Sequence, residues 1–501
     1  MTAKLPNIIL IVMDTASAKH MSLYGYHRPT TPQLERLADR ATVYSRCFAP
    51  GNWTLPSHAS LFTGLYPSEH GIDRQKRILD ANFQHLVSVL KHLGYHTYGI
   101  SCNGIVSPDF GNCRDFDVFH DYSGIGWSLA RLRNSNDNAL EILNKLSSKS
   151  YSSATKLFLC LEYAWRQKDM GILKAIIEKT LSVTLKRNSV NQSAPYTRRS
   201  FHTALKDIRQ HLRRAPGTPF FLFMNVIENH EKYNPPEALR KFSGPQDQQP
   251  FFNYNFYRDD YNGLREQVLP LCCNLYDDTM LFLDGMIGQF FDQLQAQGLT
   301  DNTLFIVTSD HGEHFGEKDF YVHNLSLHNE LTWVPLLISF PAGLHAPGTD
   351  DRLVSLVDFF ATFLDLCQSP FPCPRHSCSL LSAEKRSSLS AMVLDNMLIK
   401  IALAGKIDRS SEWAQARESH RYALILDNGL KLLEHDDGRL EIYNLNQDPN
   451  ENQDLSPTLP LELIQDLQAL LVEDQQQKGY QSRSIAELDS SLYMSADFGA
   501  I

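Results

Sequence analysis

The segment Thr54-Leu-Pro-Ser-His58 sets a hydroxyl residue just ahead of a proline and of an apolar run that continues as a helix over residues 56–65. Helix N-termini expose unpaired N–H groups and a partial positive charge, so they hold anions. An oxygen nucleophile placed there could attack a phosphate or sulfate ester, although the same pattern taken alone is an ordinary helix cap. Much later, Asp310-His311-Gly312-Glu313 follows an apolar run at 303–309 and sets two metal-capable side chains in succession. Asp14 closes a similar run at 7–14. An aspartate at a strand end is commonly a turn or cap residue. Three such features in separate segments argue for one shared site.

The elements that would carry these residues alternate between strand-like and helix-like patterns. Residues 7–14 are nearly continuously apolar, as a strand buried on both faces should be. Thr31 with Pro32 opens a helix through Leu34, Leu37 and Ala38, with Thr31 as its cap. Strands are expected at 42–48, 97–101, 219–226, 303–309 and 334–340, and helices at 85–93 and 275–294. Strands spaced by helices of this length predict an α/β fold, a mostly parallel sheet flanked by helices. Ligands in such sheets sit at the carboxyl ends of the strands, where Asp14, Asn225 and Asp310 fall. This catalytic domain is expected over residues 1–395. Short turn-separated strands at 422–426, 429–434 and 439–443, then a helix at 461–471, predict a small antiparallel C-terminal subdomain over 396–475. Residues 476–501 are polar and read as a flexible tail.

The 501-residue chain is 43% apolar and carries a net charge of −10, which argues against a nucleic-acid binder. Residues 125–216 stand apart as a helical insertion with 17 lysines and arginines against 6 acidic residues. That block could face an anionic substrate, an anionic surface or an acidic partner, or simply be a solvated insertion. The apolar run near the N-terminus is too short for a signal peptide, and no stretch reaches the roughly 18–20 apolar residues of a membrane span. Nine cysteines without regular spacing read as free thiols in a cytoplasmic protein.

The order of the motifs resembles the sulfatase branch of the alkaline-phosphatase superfamily. It runs from a strand ending in Asp14 to TTPQLERLA (30–38), TLPSHASLFTGLYPSEHG (54–71) and VTSDHGEHFGE (307–317). NVIENHEKYNPP (225–236), HNLSLHNELTWVPLLI (323–338) and LEIYNLNQDPNENQDLS (440–456) match later landmarks. The resemblance covers 1–122 and 217–475 and leaves the basic insertion unexplained. It implies one divalent metal ion, Mn, Zn, Mg or Ca, held by Asp14, Thr54, Asp310 and His311. It places His230 and His323 around the substrate's oxyanion and leaving group, and Asn103 and His58 among the substrate contacts.

Departures from that family narrow the chemistry. Classical sulfatases carry Cys-x-Pro-x-Arg, whose cysteine becomes formylglycine; here Thr54 and His58 stand in those positions, so no formylglycine is expected. The pattern resembles the threonine-nucleophile branch, which favours phosphorus esters. Relatives with two metals carry Asp-x-x-x-His where this chain has Val226 and His230, which favours one cation and a mono-anionic diester. Ser17 and Lys19 replace an Arg and Asp found in many relatives. The leading expectation is a metal-dependent hydrolase of a small anionic ester, through a covalent Thr54 intermediate. Sulfate hydrolysis without formylglycine, group transfer and a non-catalytic scaffold are the alternatives.

Overall fold

The computed structural model describes residues 5–73, 76–122, 196–245, 247, 262–323, 325–394, 420–435 and 437–480. Eight strands form the central sheet. In chain order they are β1 (Asn7–Met13), β2 (Thr42–Tyr44), β3 (His96–Ser101), β4 (Val118–Asp121), β5 (Phe220–Val226), β6 (Thr303–Thr308), β7 (Leu336–Ser339) and β8 (Gly348–Asp350). Their order across the sheet is β8-β2-β7-β6-β1-β5-β3-β4. All pair in parallel except β7, which runs against both of its neighbours. The expectation of a mostly parallel α/β sheet therefore holds, with one strand reversed.

β1 lies in the middle because it can be covered on both sides. Ile9, Ile11 and Met13 face one apolar cluster, with Leu222, Met224 and the helix Asn262–Ala296. Ile8, Leu10 and Val12 face the other, with Phe221, Phe223, Leu61 and Phe62. The two-residue alternation of side chains across a strand sorts one continuous apolar run into two cores. Each fully buried Ile, Leu or Val contributes about 1.5–3 kcal/mol. With β1 anchored this way, its carboxyl end and those of β5 and β6 reach the same edge of the sheet.

Helix starts differ from the local reading where a distant group intervenes. The helix Pro32–Ala38 begins as expected, but the Thr31 side chain does not cap it. Its free N–H groups are instead taken by Asp284, whose carboxylate accepts from Gln33 and Leu34 at 2.8 Å each. The helix carrying Thr54 spans Thr54–Thr63, so Thr54 is its first residue rather than a residue ahead of it. Of the basic insertion, the described part is the amphipathic helix Tyr196–Arg214, with Phe201, Ala204, Leu205 and Ile208 buried. Residues 123–195 lie outside the described residues, as do 481–501 of the expected tail. The eight cysteines among the described residues are free thiols, and no described helix is long and apolar enough to cross a membrane.

The small antiparallel sheet has four strands in sequence order, Ser388–Met392, His420–Leu426, Leu430–His435 and Leu440–Asn444. Its first strand precedes residue 396, where the subdomain was expected to begin; a short serine-rich stretch gave no strand signal. The helix Leu461–Gln477 packs Leu467 and Leu471 against this sheet. A buried polar junction joins the sheet to the main domain. The Lys431 ammonium lies 2.7 Å from Glu451 Oε1 and donates to Asn329 Oδ1 at 2.8 Å. Glu451 Oε2 accepts the Asn329 backbone N–H at 2.6 Å. Two residues on, the Leu331 carbonyl accepts the Gly312 N–H at 2.9 Å. Gly312 is required there, because a Cβ would stand 2.0 Å from the Glu330 carbonyl oxygen.

Removing one member of a buried ion pair leaves the other charged and unpaired, so Lys431→Met should destabilise the protein by about 3–5 kcal/mol in denaturant titration. Burial would raise the Glu451 carboxyl, but Lys431 and His328 pull it down to about 2, below its ordinary 4.5. The pair's stabilisation is thus present above pH ~4.5 and lost as pH falls through ~2. Wild-type stability should drop across that window, and the Lys431→Met variant should drop less. Equal acid sensitivity of the two would refute the assignment.

Candidate active site

Asp14 follows β1 directly, and its N–H donates to the Val226 carbonyl at 2.8 Å, continuing the β1–β5 pairing by one bond. Asp310 and His311 follow β6 on the other side of β1. The helix Thr54–Thr63 points its first residue into the same edge, and all ten of its residues are buried. Thr54 Oγ1 lies 3.3 Å from His311 Nε2. His311 Nδ1 donates to the Gly312 carbonyl at 2.9 Å, which leaves the Nε2 lone pair facing the threonine hydroxyl. Burial pushes the His311 ring below its ordinary pKa, against the pull of Asp14, so the ring stays neutral.

The two carboxyl groups are held differently. Asp14 Oδ2 accepts from Asn103 Nδ2 at 2.8 Å and from Asn225 Nδ2 at 3.3 Å. Against the upward push of burial, His230, His311 and the Asn103 hydrogen bond keep the Asp14 carboxyl below its ordinary value. Asp310 Oδ1 accepts the backbone N–H of His311 at 3.0 Å and of Thr15 at 3.1 Å. Asp310 Oδ2 is buried without a hydrogen-bond partner. Burial, and then the neighbouring Asp14, lift the Asp310 carboxyl to about 7. Ligand atoms of Asp14, Asp310 and His311 all lie within 4.8 Å of one another. An orphaned carboxylate oxygen, a second carboxylate and a neutral imidazole nitrogen form a donor set that fits one divalent cation.

His230 and His323 flank this cluster. Their ring centroids are 5.1 Å apart, and His323 is 4.7 Å from His311. His323 Nδ1 sits 3.0 Å from Glu313 Oε1, and Glu313 Oε2 accepts from the Tyr233 hydroxyl at 3.2 Å. Burial raises the Glu313 carboxyl to about 7. Burial would lower His230, but Glu231 and Asp14 overcome it and raise the ring to about 9. Ligand atoms of His230, Glu231 and His323 form a second group within 4.8 Å.

All eight residues singled out from the sequence therefore gather at one place, but not in one layer. Asn103 turns its amide onto Asp14, and its Oδ1 accepts the Ile105 N–H at 3.1 Å. His58 is fully buried; its Nδ1 donates to the Thr54 carbonyl at 3.0 Å and its Nε2 meets Asn225 Nδ2 at 3.1 Å. Both were expected among the substrate contacts; their hydrogen bonds go to Asp14, to the Thr54 carbonyl and to Asn225. Asn225 and Glu313 are the members the motifs did not assign, although each lies at or beside a strand end. Lys19 pairs with Glu330 at 2.5 Å, and the Ser17 N–H donates to the Tyr276 hydroxyl at 2.9 Å. The first is a side-chain ion pair, and the second is a backbone bond that any residue but proline at position 17 would make.

The family model described as Sulfatase matches residues 6–369. An N-acetylglucosamine-6-O-sulfatase of Bacteroides thetaiotaomicron is 22% identical, over 89% of this chain and 82% of that protein. An arylsulfatase of Clostridium perfringens is 22% identical, over 73% of this chain and 76% of the relative. Among solved structures, one in complex with its substrate D-glucosamine-2-N,6-O-disulfate aligns with a TM-score of 0.65 and 18% identity, covering 95% of this chain and 98% of that one. A phosphonate monoester hydrolase of Agrobacterium radiobacter aligns with a TM-score of 0.60 and 17% identity, covering 97% and 98%. Likeness at these identities establishes the fold.

Binding of a cation to the folded state alone raises apparent stability by mass action. Mn²⁺ added to metal-stripped protein should therefore raise Tm by a few degrees at roughly 100-fold excess over Kd. Asp310→Asn should abolish that rise. An equal rise in wild type and Asp310→Asn would place the cation elsewhere.

Proposed function

Because the chain belongs to the sulfatase family, and so is an ester-hydrolysing enzyme, we propose that it cleaves a phosphoric ester, preferably a diester, through a covalent ester on Thr54. The observation that carries this reading is the Thr54 hydroxyl, 3.3 Å from His311 Nε2 at the start of a buried helix and beside two buried carboxyl groups. A divalent cation held by Asp14, Asp310 and His311 would supply the positive charge that favours a deprotonated Thr54 hydroxyl and charge on a non-bridging ester oxygen.

The chain's own residues account for the remaining steps. His58 and the first turn of the helix hold the Thr54 backbone, so its Oγ1 approaches the ester from a fixed direction. The Thr54 oxygen bonds to phosphorus while the bond to the leaving oxygen breaks in line. His230 or His323 gives that leaving oxygen its proton, a contribution of ~10²–10⁴-fold. Water then attacks the Thr54 ester and releases the product. Threonine cannot form the aldehyde hydrate of classical sulfatases, which is the argument for phosphorus over sulfur. A diester carries one negative charge, and a single cation balances that more completely than the two charges of a monoester.

A second reading, hydrolysis of a sulfuric ester, is favoured by the names of the relatives, which are sulfatases of amino sugars and aryl groups. An assay panel of aryl phosphodiester, phosphomonoester and sulfate substrates with added Mn²⁺, Zn²⁺, Mg²⁺ or Ca²⁺ separates the two. Phosphodiester turnover should lead the panel. It should fall in Thr54→Ala by several orders of magnitude, toward the ~10⁶-fold loss that follows removal of a covalent nucleophile. Retained turnover in Thr54→Ala would sink the nucleophile, and faster sulfate turnover would reverse the substrate ranking.

A further inference from the structure

Thr15 adopts a backbone φ of +65° while completely buried. A β-branched residue in this left-handed region is rare, because its Cβ substituents crowd the neighbouring carbonyl. Such conformations persist where the surroundings over-determine them, and they gather at functional sites. Here the surroundings are specific. The Thr15 N–H donates to Asp310 Oδ1 at 3.1 Å, and its Oγ1 donates to Asp14 Oδ1 at 3.0 Å. One residue thus hydrogen-bonds both carboxyl groups, the first through its backbone and the second through its side chain. Its carbonyl accepts the Tyr276 hydroxyl proton at 2.6 Å, and the same hydroxyl accepts the Ser17 N–H at 2.9 Å. Tyr276 is fully buried on the long helix Asn262–Ala296, so the turn after β1 is clamped from the other side of the core.

We propose that Thr15 is a positioning residue that sets the separation of the Asp14 and Asp310 carboxylates for cation binding, with Tyr276 holding it in its strained conformation. This rests on the reading that those carboxylates bind a divalent cation. The bond from Thr15 to Asp310 Oδ1, joined by that from His311, occupies one oxygen and leaves Oδ2 as the atom offered to a ligand. The Thr15 bond to Asp14 Oδ1 and the amide bonds to Asp14 Oδ2 fix the second carboxyl plane. Groups that orient metal ligands in this way typically change cation affinity by 10–100-fold when removed.

Calorimetric titration of metal-stripped protein with Mn²⁺ tests this on four variants. Thr15→Ser keeps the hydroxyl and should bind within about threefold of wild type. Thr15→Val keeps the shape without the hydroxyl and should bind about 10–100-fold more weakly. Thr15→Gly adopts positive φ without strain, so it should fold with a metal-free Tm near wild type and still bind as weakly as the valine variant. Tyr276→Phe should weaken binding without touching either carboxylate. Wild-type affinity in Thr15→Gly would overturn the proposal and leave the cation reading standing. Failure of the wild type itself to bind Mn²⁺ would overturn the cation reading, and this inference with it.

Discussion

Asp14 and Asp310 hang from adjacent strands at the edge of the sheet, and both carboxyl groups are withdrawn from water. Two like charges in a buried site repel, and each also loses its hydration. Much of the surrounding structure answers that one constraint. Asn103, Asn225 and Thr15 direct hydrogen-bond donors at Asp14, and backbone N–H groups of Thr15 and His311 serve Asp310. The result is asymmetric. Asp14 is held below the ordinary carboxylate range, whereas Asp310 is lifted to about 7 and keeps one oxygen without a hydrogen bond. A site built this way asks for positive charge at the place where the Thr54 hydroxyl is directed.

The same site is tied to the far end of the chain. Gly312 follows His311 and packs so closely on Glu330 that only glycine fits. Residues 329–332 in turn hold the junction of Lys431 and Glu451. The small sheet therefore sets the position of the loop carrying Asp310 and His311 through buried polar bonds, which have strict geometry, rather than through apolar contact alone. Lys19 and Lys318 meet the same segment at Glu330, which balances a carboxylate that burial would otherwise neutralise.

His58 shows how a substituted motif position can change what the residue does. It stands where classical sulfatases carry arginine, yet it is buried, donating to the Thr54 carbonyl and meeting the Asn225 amide. An imidazole is short enough to remain beneath the helix and bridge its first residue to the end of β5. In the proposed mechanism the chemistry is left to Thr54, His230 and His323; Glu313 joins the His323 ring to the Tyr233 hydroxyl.

The apolar runs of the sequence determined the sheet, because a strand buried on both faces must be apolar throughout, and the order of its polar punctuation determined that Asp14, Thr54, Asp310 and His311 meet. Tertiary structure decided the rest. Nothing in residues 334–340 says that their strand runs backwards, since an apolar run carries no direction. Nothing near Thr31 says that its helix is capped by Asp284, about 250 residues away in sequence. The strained turn at Thr15 and the Tyr276 hydroxyl that clamps it leave no local pattern either. Periodicity reports which residues leave water. Which donor meets which acceptor is settled only when distant segments pack, because buried polar groups must take the partners that the completed core brings within reach.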